Sequence, residues 1–196
     1  MTLVLVFCAL MLAYAGKTQA KMQKTDLSDS VRRTVRLLRA SLGSHAKLSC
    51  DLASELPPVN ADPTQLGQVT MNLILNARDA IGDKEGQILV QTSLRQCTAA
   101  DLADSRSNVK LSPGPYVALD VRDDGCGMDE ATISRLFEPF FTTKDNGRGL
   151  GLASVLGIVR AHGAAIQVDS QKGKGTHLTV LLPVGIEPQA APPAAV

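Results

Sequence analysis

Length, composition and charge limit what this chain can do. It has 196 residues, 44% of them hydrophobic, and a formal net charge of +1, which fits a globular protein with one sizeable core. The near-zero charge argues against nucleic acid or an acidic membrane surface as a partner, because both attract a concentrated positive field. Aromatic residues are only 3% of the chain, so aromatic platforms that stack on bases or sugars are not expected.

The first apolar stretch, residues 2–15, has two interpretations. It ends in Ala13-Tyr14-Ala15, like a signal-peptide cleavage site, but it lacks the positively charged segment with which such a peptide begins. It is also shorter than the roughly 20 apolar residues that cross a bilayer, so no stable membrane span is expected. Apolar residues at helical spacing favour a buried or partner-facing helix, and these are Leu5, Cys8, Leu12 and Ala15.

Apolar periodicity, capping residues and Gly/Pro breakers predict helices and strands along the rest of the chain. The predicted helices are residues 26–41, 62–81, 129–137 and 150–162. The predicted strands are residues 47–52, 86–94, 116–121, 165–170 and 176–182. Residues 56–59 read as a rigid connector, polar residues 96–115 and glycine-bearing residues 140–149 as loops, and Pro/Ala-rich residues 187–196 as a disordered tail.

The cysteines and histidines give no metal-binding pattern. The cysteines are far apart and contain no CxxC pair: Cys8, Cys50, Cys97 and Cys126. This spacing argues against a zinc site or a disulfide framework and favours reduced thiols in a cytoplasmic protein. The histidines are equally scattered and are predicted to be structural or solvated: His45, His162 and His177.

The predicted helix at residues 62–81 carries a polar face. Asn72, Asn76 and Asp79 stand at positions i, i+4 and i+7, so their side chains share one side of the helix. Asn76 offers a neutral oxygen of the kind that Mg²⁺ accepts while it also bridges phosphates. A helical Asn is more often solvated, so this residue alone does not define a site.

Two downstream stretches supply complementary chemistry. Asp123 follows an apolar strand and precedes Gly125 and Gly127, and a carboxylate there can accept a hydrogen bond from an exocyclic amine, worth roughly 1.5–3 kcal/mol. Glycines at positions 147, 149 and 151 let backbone N–H groups approach an anion where a helix begins. Each signal is weak alone, because Asp123 also suits a turn and the glycines also suit a flexible loop.

Taken in order, these stretches resemble the ATP-binding catalytic domain of bacterial sensor histidine kinases, hybrid kinases included, within the GHKL superfamily of ATPases and kinases. The resemblance covers about residues 26–183 and rests on five motifs: DPTQLGQVTMNLILNARDA, DDGCGMD, LFEPFFTTK, GRGLGL and KGKGT. It implies an α+β fold, a two-layer α/β sandwich of the Bergerat type. In that fold, helices cover one face of a mixed sheet, and ATP lies between the helices and a mobile lid.

The resemblance implies roles at both ends of the nucleotide. At the adenine end, Asp123 would hold the amine, Gly125 and Gly127 would line the base, and Thr176 would lie nearby. At the phosphate end, Asn72 would support the phosphates, and Asn76 would bind Mg²⁺.

The segment after the second motif would complete the phosphate end. Phe140 and Phe141 would anchor the lid. Lys144 would face the phosphates together with the backbone of Gly149, Leu150, Gly151 and Leu152. Arg148 stands where the family usually has Thr or Ser, and it either contacts a phosphate or points to water. Some kinases carry Lys three residues after the magnesium Asn, where this chain has Asp79, so Lys144 or Arg148 is expected to supply that positive charge.

The resemblance also bears on the reaction. Hydrolases of the superfamily place a Glu four residues before the magnesium Asn to activate water, whereas this chain has Asn72, a poor base. Phosphoryl transfer to a protein acceptor is therefore expected, yet no histidine here is followed by an acidic residue as an acceptor histidine would be. The chain offers no catalytic acceptor of its own.

The expected organisation follows from this. Residues 1–24 would be the remnant of a dimerisation helix, since ALMLAYAGK resembles the end of one, residues 25–186 the catalytic domain, and residues 187–196 the tail. Expected cofactors are ATP and Mg²⁺, and expected partners are a histidine-bearing dimerisation domain and a response-regulator receiver, with a homodimer also allowed. The alternative is a non-catalytic ATP-binding regulatory module or a truncated, inactive kinase.

Overall fold

The computed structural model describes residues 20–39, 42, 45–144 and 147–185. The predicted N-terminal helix at residues 2–15 and the predicted tail at residues 187–196 lie outside these ranges. Within the described part of the chain, no helix combines the length and the apolar character needed to cross a membrane. Cys50, Cys97 and Cys126 are free thiols.

Five helices and seven strands make up the described fold. The helices are α1 (Leu27–Leu38), α2 (Pro63–Ile81), α3 (Ala99–Ala103), α4 (Glu130–Arg135) and α5 (Gly151–Ala161). The strands are β1 (Gln23–Thr25), β2 (Ala46–Leu52), β3 (Val59–Ala61), β4 (Gly86–Cys97), β5 (Gly114–Asp123), β6 (Ala165–Gln171) and β7 (Gly175–Pro183).

Five of the strands form one mixed sheet, in the order β2-β4-β5-β7-β6. β2 runs parallel to β4, and the other neighbours are antiparallel. β1 and β3 form a separate antiparallel pair beside it. The predicted α+β fold with a mixed sheet is confirmed.

The main core lies between one face of this sheet and the three long helices. Val117, Leu119 and Val121 alternate along β5 into that core, as expected for a strand with successive side chains on opposite faces. α2 contributes an apolar stripe to the same core: Leu66, Val69, Leu73 and Ala77. A smaller cluster around Tyr116 and Leu102 packs on the opposite face.

Most predicted elements are confirmed, but three regions differ from the prediction. Residues 96–115 are not one loop, because β4 continues to Cys97 and α3 follows. A reciprocal capping box between Thr98 and Asp101 starts that short helix. β1 and β3 were not predicted, since three-residue strands are too short for a repeating pattern. Asp123 is the last residue of β5 rather than a residue beyond it.

Candidate functional site

The two helices that carry the polar residues are fixed to each other at their ends. Asp62 caps α2 by accepting hydrogen bonds from the N–H groups of Thr64 at 2.8 Å and Gln65 at 3.3 Å. Its own N–H donates to Nε2 of His162 at 3.1 Å, and Nδ1 of that ring lies 2.8 Å from the carbonyl of Ile158 in α5. These contacts define a neutral ring with the proton on Nδ1. Burial lowers the pKa of His162, in keeping with this state.

The polar face of α2 lies against the start of α5. Nδ2 of Asn72 donates to the carbonyl of Gly151 at 3.4 Å. A Cβ added at Gly151 would be 3.8 Å from Nδ2 of Asn76 and 3.9 Å from Oδ1 of Asn72. Among the described residues, no side chain caps the first turn of α5, whose N-cap position is Leu150. An uncapped helix N-terminus presents free N–H groups and a partial positive charge, which suits a phosphate.

Lys144 of the 140–149 loop contacts the polar face of α2. Its Nζ lies 3.1 Å from Oδ1 of Asn76 and 2.8 Å from Oδ2 of Asp79. Asp79 also accepts a hydrogen bond from Nε of Arg78 at 3.0 Å. Burial raises the pKa of the Asp79 carboxyl, but the hydrogen bonds from Lys144 and Arg78 outweigh burial and hold that pKa below its ordinary value.

The two ends of the 140–149 loop are tied together. The N–H of Phe140 donates to the carbonyl of Gly149 at 2.8 Å. Phe140 has φ +68° and Gly149 has φ +64°, and a Cβ at position 149 would lie 2.3 Å from the carbonyl carbon of Phe140. Only glycine fits position 149 without a shift of the backbone. The guanidinium of Arg135 lies 4.4 Å from the ring centroid of Phe141, an attractive cation–π contact.

Asp123 stands at the other end of α2, buried at the end of β5. One carboxylate oxygen accepts a hydrogen bond from the N–H of Gly125 at 2.9 Å. Burial raises the pKa of Asp123, and the backbone N–H groups of Gly125 and Thr176 oppose that rise without cancelling it. Thr176 is the cross-strand partner of Asp123 in β7, and its hydroxyl lies 2.9 Å from that of Ser170.

The DDGCG turn joins Asp123 to the surrounding elements. The N–H of Cys126 donates to the carbonyl of Ala80 near the end of α2 at 2.9 Å. Gly127 has φ +60°, and a Cβ there would lie 2.0 Å from the carbonyl oxygen of Gln171. A larger residue at position 127 would therefore push β6 away from the turn.

The structure thus brings the predicted residues into two groups along α2. Asn72, Asn76, Gly151 and Lys144 form one group, and Asp123, Gly125, Gly127 and Thr176 form the other. At 1.5 Å per residue, Asn72 and Ala80 are about 12 Å apart along the helix axis, so an extended ligand can touch both groups. Arg148 is exposed and has no hydrogen-bond or ion-pair partner within the described residues.

Three predicted positions lie at the border of the site. Leu150 and Leu152 are half-buried at the start of α5, and Leu152 packs against the main core. Phe141 is half-buried under Arg135.

The contact of Asp79 with Lys144 was not predicted, although both residues had been singled out. Their sequence positions differ by 65, and only the tertiary fold brings them together. The hydrogen bond from the N–H of Asp62 to His162 was not predicted either, because these residues are 100 positions apart in the sequence.

Comparisons with known proteins show the family of this chain and several relatives. The profile of the family described as "Histidine kinase-, DNA gyrase B-, and HSP90-like ATPase" matches residues 61–186. Sensor kinase CckA of Brucella abortus is 38% identical over 188 residues, which are 95% of this chain and 20% of that protein. Sensory histidine kinase/phosphatase NtrB of Rhizobium meliloti is 39% identical over 148 residues, 75% of this chain and 37% of that protein.

The fold has close counterparts among solved structures as well. The catalytic domain of histidine kinase ThkA, in a nucleotide-free form, has a TM-score of 0.64 at 24% identity, covering 83% of this chain and 95% of that one. At this identity the likeness concerns the fold alone.

The chain belongs to the histidine kinase-, DNA gyrase B- and HSP90-like ATPase family. The predicted relationship to the ATP-binding catalytic domain of sensor histidine kinases is confirmed, and ATP is the nucleotide that the family implies. The chain spans about a fifth to two-fifths of the length of these two relatives. The predicted boundaries at residues 24 and 186 and the role of each site residue remain predictions.

Proposed function

We propose that this chain binds ATP with Mg²⁺ and transfers the γ-phosphate to a histidine on a separate dimerisation domain. The observation that carries the proposal is the meeting of three features at one point. Asn76 presents Oδ1 to a cation, Lys144, at 3.1 Å, and Asn76 itself lies beside the start of α5, which no described side chain caps. A polyphosphate with a metal ion matches this combination of a neutral oxygen, an ammonium and free N–H groups.

The adenine would be held by Asp123. Its carboxylate is buried and has acceptor capacity beyond the hydrogen bonds from the N–H groups of Gly125 and Thr176, so an exocyclic amine can donate to it. Gly125, Gly127 and Thr176 surround this carboxylate in the turn and in β7. A guanine would present a carbonyl oxygen to Asp123 instead, and two acceptors facing each other repel.

The phosphate end has residues that fit a metal ion. Asn76 would hold Mg²⁺ through Oδ1, and Lys144, Gly149 and Gly151 would stand around the phosphates. When bound, Mg²⁺ would neutralise phosphate charge. The protein's part is to position the nucleotide, and Arg148, exposed at the same loop, either contacts a phosphate or points to water.

Transfer rather than hydrolysis is supported by Asn72. Its amide lies four residues before Asn76, donates to the carbonyl of Gly151 at 3.4 Å, and lacks the basicity to activate water. The described histidines are poor phosphate acceptors. His162 is buried between two helices, His177 lies 2.8 Å from the carboxylate of Asp120, and exposed His45 is followed by Ala46 rather than by an acidic residue. The acceptor would therefore lie on a dimerisation domain, and a response-regulator receiver would take the phosphate next, as the family implies.

The test is phosphotransfer from labelled ATP. We expect no labelling of the chain alone and acid-labile labelling when a purified, histidine-bearing dimerisation domain from a kinase of this family is added. Asn76→Ala should abolish the labelling, because the metal loses its protein ligand. Asp83→Asn is the matched control, since Asp83 is exposed just beyond the end of α2.

A different result would favour the alternative function. Tight binding of Mg-ATP with no transfer to any added dimerisation domain, at any Mg²⁺ concentration, would identify a regulatory ATP-binding module. Absence of ATP binding itself would contradict both functions.

A further inference from the structure

We infer that Asp79 is a positioning residue that holds Lys144 against the polyphosphate. This inference rests on the proposed function and gives a role to Asp79, a residue of the first motif that has none in the proposed function. Asp79 itself would not touch the nucleotide. Its carboxylate would act through the ammonium of Lys144.

The geometry places one ammonium on two oxygens of the same helix face. Nζ of Lys144 is 2.8 Å from Oδ2 of Asp79 and 3.1 Å from Oδ1 of Asn76. Asp79 stands three positions after Asn76, so their side chains are neighbours on α2. An ammonium 3.1 Å from the oxygen proposed to bind the metal stands within reach of the phosphates that the metal would bridge.

The arrangement divides one task between two elements. Some kinases have a Lys on the helix itself at the position of Asp79. In this chain, the carboxylate of Asp79 forms an ion pair with Lys144 of the 140–149 loop. A long Lys side chain has considerable rotamer freedom, and fixing it before the nucleotide arrives removes part of that cost from binding. Asp79 is suited to holding Lys144 in place because its carboxylate forms ion pairs with two cations, Lys144 and Arg78, which favour its ionised form.

The same geometry selects Lys144 over Arg148. Both lie on the loop and both were candidates for the compensating charge. Arg148 has no ion-pair partner in the described part of the chain, whereas Lys144 is anchored at 2.8 Å. The anchored cation is therefore the one that sets phosphate affinity.

A binding experiment without turnover tests this inference. Calorimetry would give the affinity of each variant for a non-hydrolysable ATP analogue with Mg²⁺, and NMR titration would give the affinity for adenosine. We expect Asp79→Asn and Lys144→Met each to weaken the analogue about three- to tenfold, the effect of a partly exposed, charge-assisted contact. Adenosine affinity should stay unchanged, because adenosine has no phosphate for Lys144 to meet.

Double substitution separates positioning from an independent effect. If Asp79 acts through Lys144, the double variant should bind no more weakly than Lys144→Met alone. Asp79→Glu should restore part of the affinity by keeping the charge. Asp83→Asn is the matched control, since it removes an exposed acid just beyond the end of α2 and should leave the affinity for the analogue unchanged.

The outcomes are distinguishable from failure of the proposed function. If the unaltered chain does not bind the Mg-ATP analogue, the proposed function is wrong. If it binds and Asp79→Asn binds equally well or more tightly, or if the effects of Asp79→Asn and Lys144→Met simply add, the positioning role is wrong and the function stands.

Discussion

Asp123, the proposed acceptor of the adenine amine, carries a cost to the stability of the fold. Burial raises its pKa, which means that the folded protein favours the neutral form of this carboxyl more than the unfolded chain does. The ionised group is therefore destabilising at neutral pH, and this cost is relieved as the pH falls through the raised pKa. Such a cost is typical of sites where function requires a strained or poorly solvated group.

Asp123→Asn should separate the two effects. The neutral amide removes the cost of a buried charge, so we expect a melting temperature equal to or above that of the unaltered chain in the absence of nucleotide. The affinity for ATP should fall by roughly 10- to 100-fold, the loss of a hydrogen bond to a charged acceptor. Thermal unfolding and calorimetry would check the two parts.

The neighbouring carboxylate provides the control. Asp124 is exposed and accepts a hydrogen bond from the N–H of Gln87 at 2.7 Å, so Asp124→Asn keeps an acceptor and should leave ATP affinity nearly unchanged. Equal ATP affinity in Asp123→Asn and the unaltered chain would rule out Asp123 as the adenine acceptor.

Among the elements, the 140–149 loop requires glycine at position 149, where its two ends meet. A methyl group there meets the backbone of Phe140 at 2.3 Å, and the positive φ adds strain for any other residue. We expect Gly149→Ala to displace the loop and to weaken binding of the ATP analogue at least tenfold, while the melting temperature falls only modestly, because the sheet and α2 are not touched. Calorimetry and thermal unfolding would measure both.

Gly157 is a suitable comparison for Gly149. It lies within α5, and a Cβ there meets nothing within 4 Å, so Gly157→Ala should stabilise the helix by about 0.5–1 kcal/mol and leave the affinity intact. If Gly149→Ala bound the analogue as well as Gly157→Ala does, the loop would not contribute to the site.

Elements with strong local signals could be predicted from the sequence. The predicted helix at residues 62–81 agrees with α2 to within one residue, because Asp62 and Pro63 mark the start of the helix and Gly82 marks its end. The polar face of Asn72 and Asn76 followed from helical spacing alone. β1, β3 and α3 have three to five residues each, too few for a periodic pattern. The contact between Asp79 and Lys144 depends on how a loop folds over a helix, which no local pattern encodes.

For the molecule as a whole, the buried hydrogen bond between Asp62 and His162 makes the folding stability depend on pH. Burial lowers the pKa of His162 in the folded protein, whereas in the unfolded chain a histidine titrates near 6.5. As the pH falls through about 6.5, the unfolded chain binds a proton that the folded protein does not, so folding stability is lost. The pKa of Asp62 is also lowered, because hydrogen bonds from three N–H groups outweigh the effect of burial, and its contribution is lost only at more acidic pH.

His162→Gln should reduce this acid sensitivity. We expect the unaltered chain to melt at a lower temperature at pH 5.5 than at pH 7.5, and the variant to be less stable at pH 7.5 but to show a smaller difference between the two pH values. His45→Gln, at an exposed position, should retain the full difference. An identical pH dependence in His162→Gln and the unaltered chain would show that another group causes it.

The pairing of β5 with β7 places Asp123 opposite Thr176, and these residues come from the middle and from the last strand of the fold. During synthesis, the proposed adenine end of the site therefore lacks Thr176 until the ribosome has released residues 175–183 and β7 has paired with β5. A nascent or C-terminally shortened chain would carry the Asn76 motif without being able to retain nucleotide. Binding of ATP to the chain would thus indicate that all five strands of the sheet have formed.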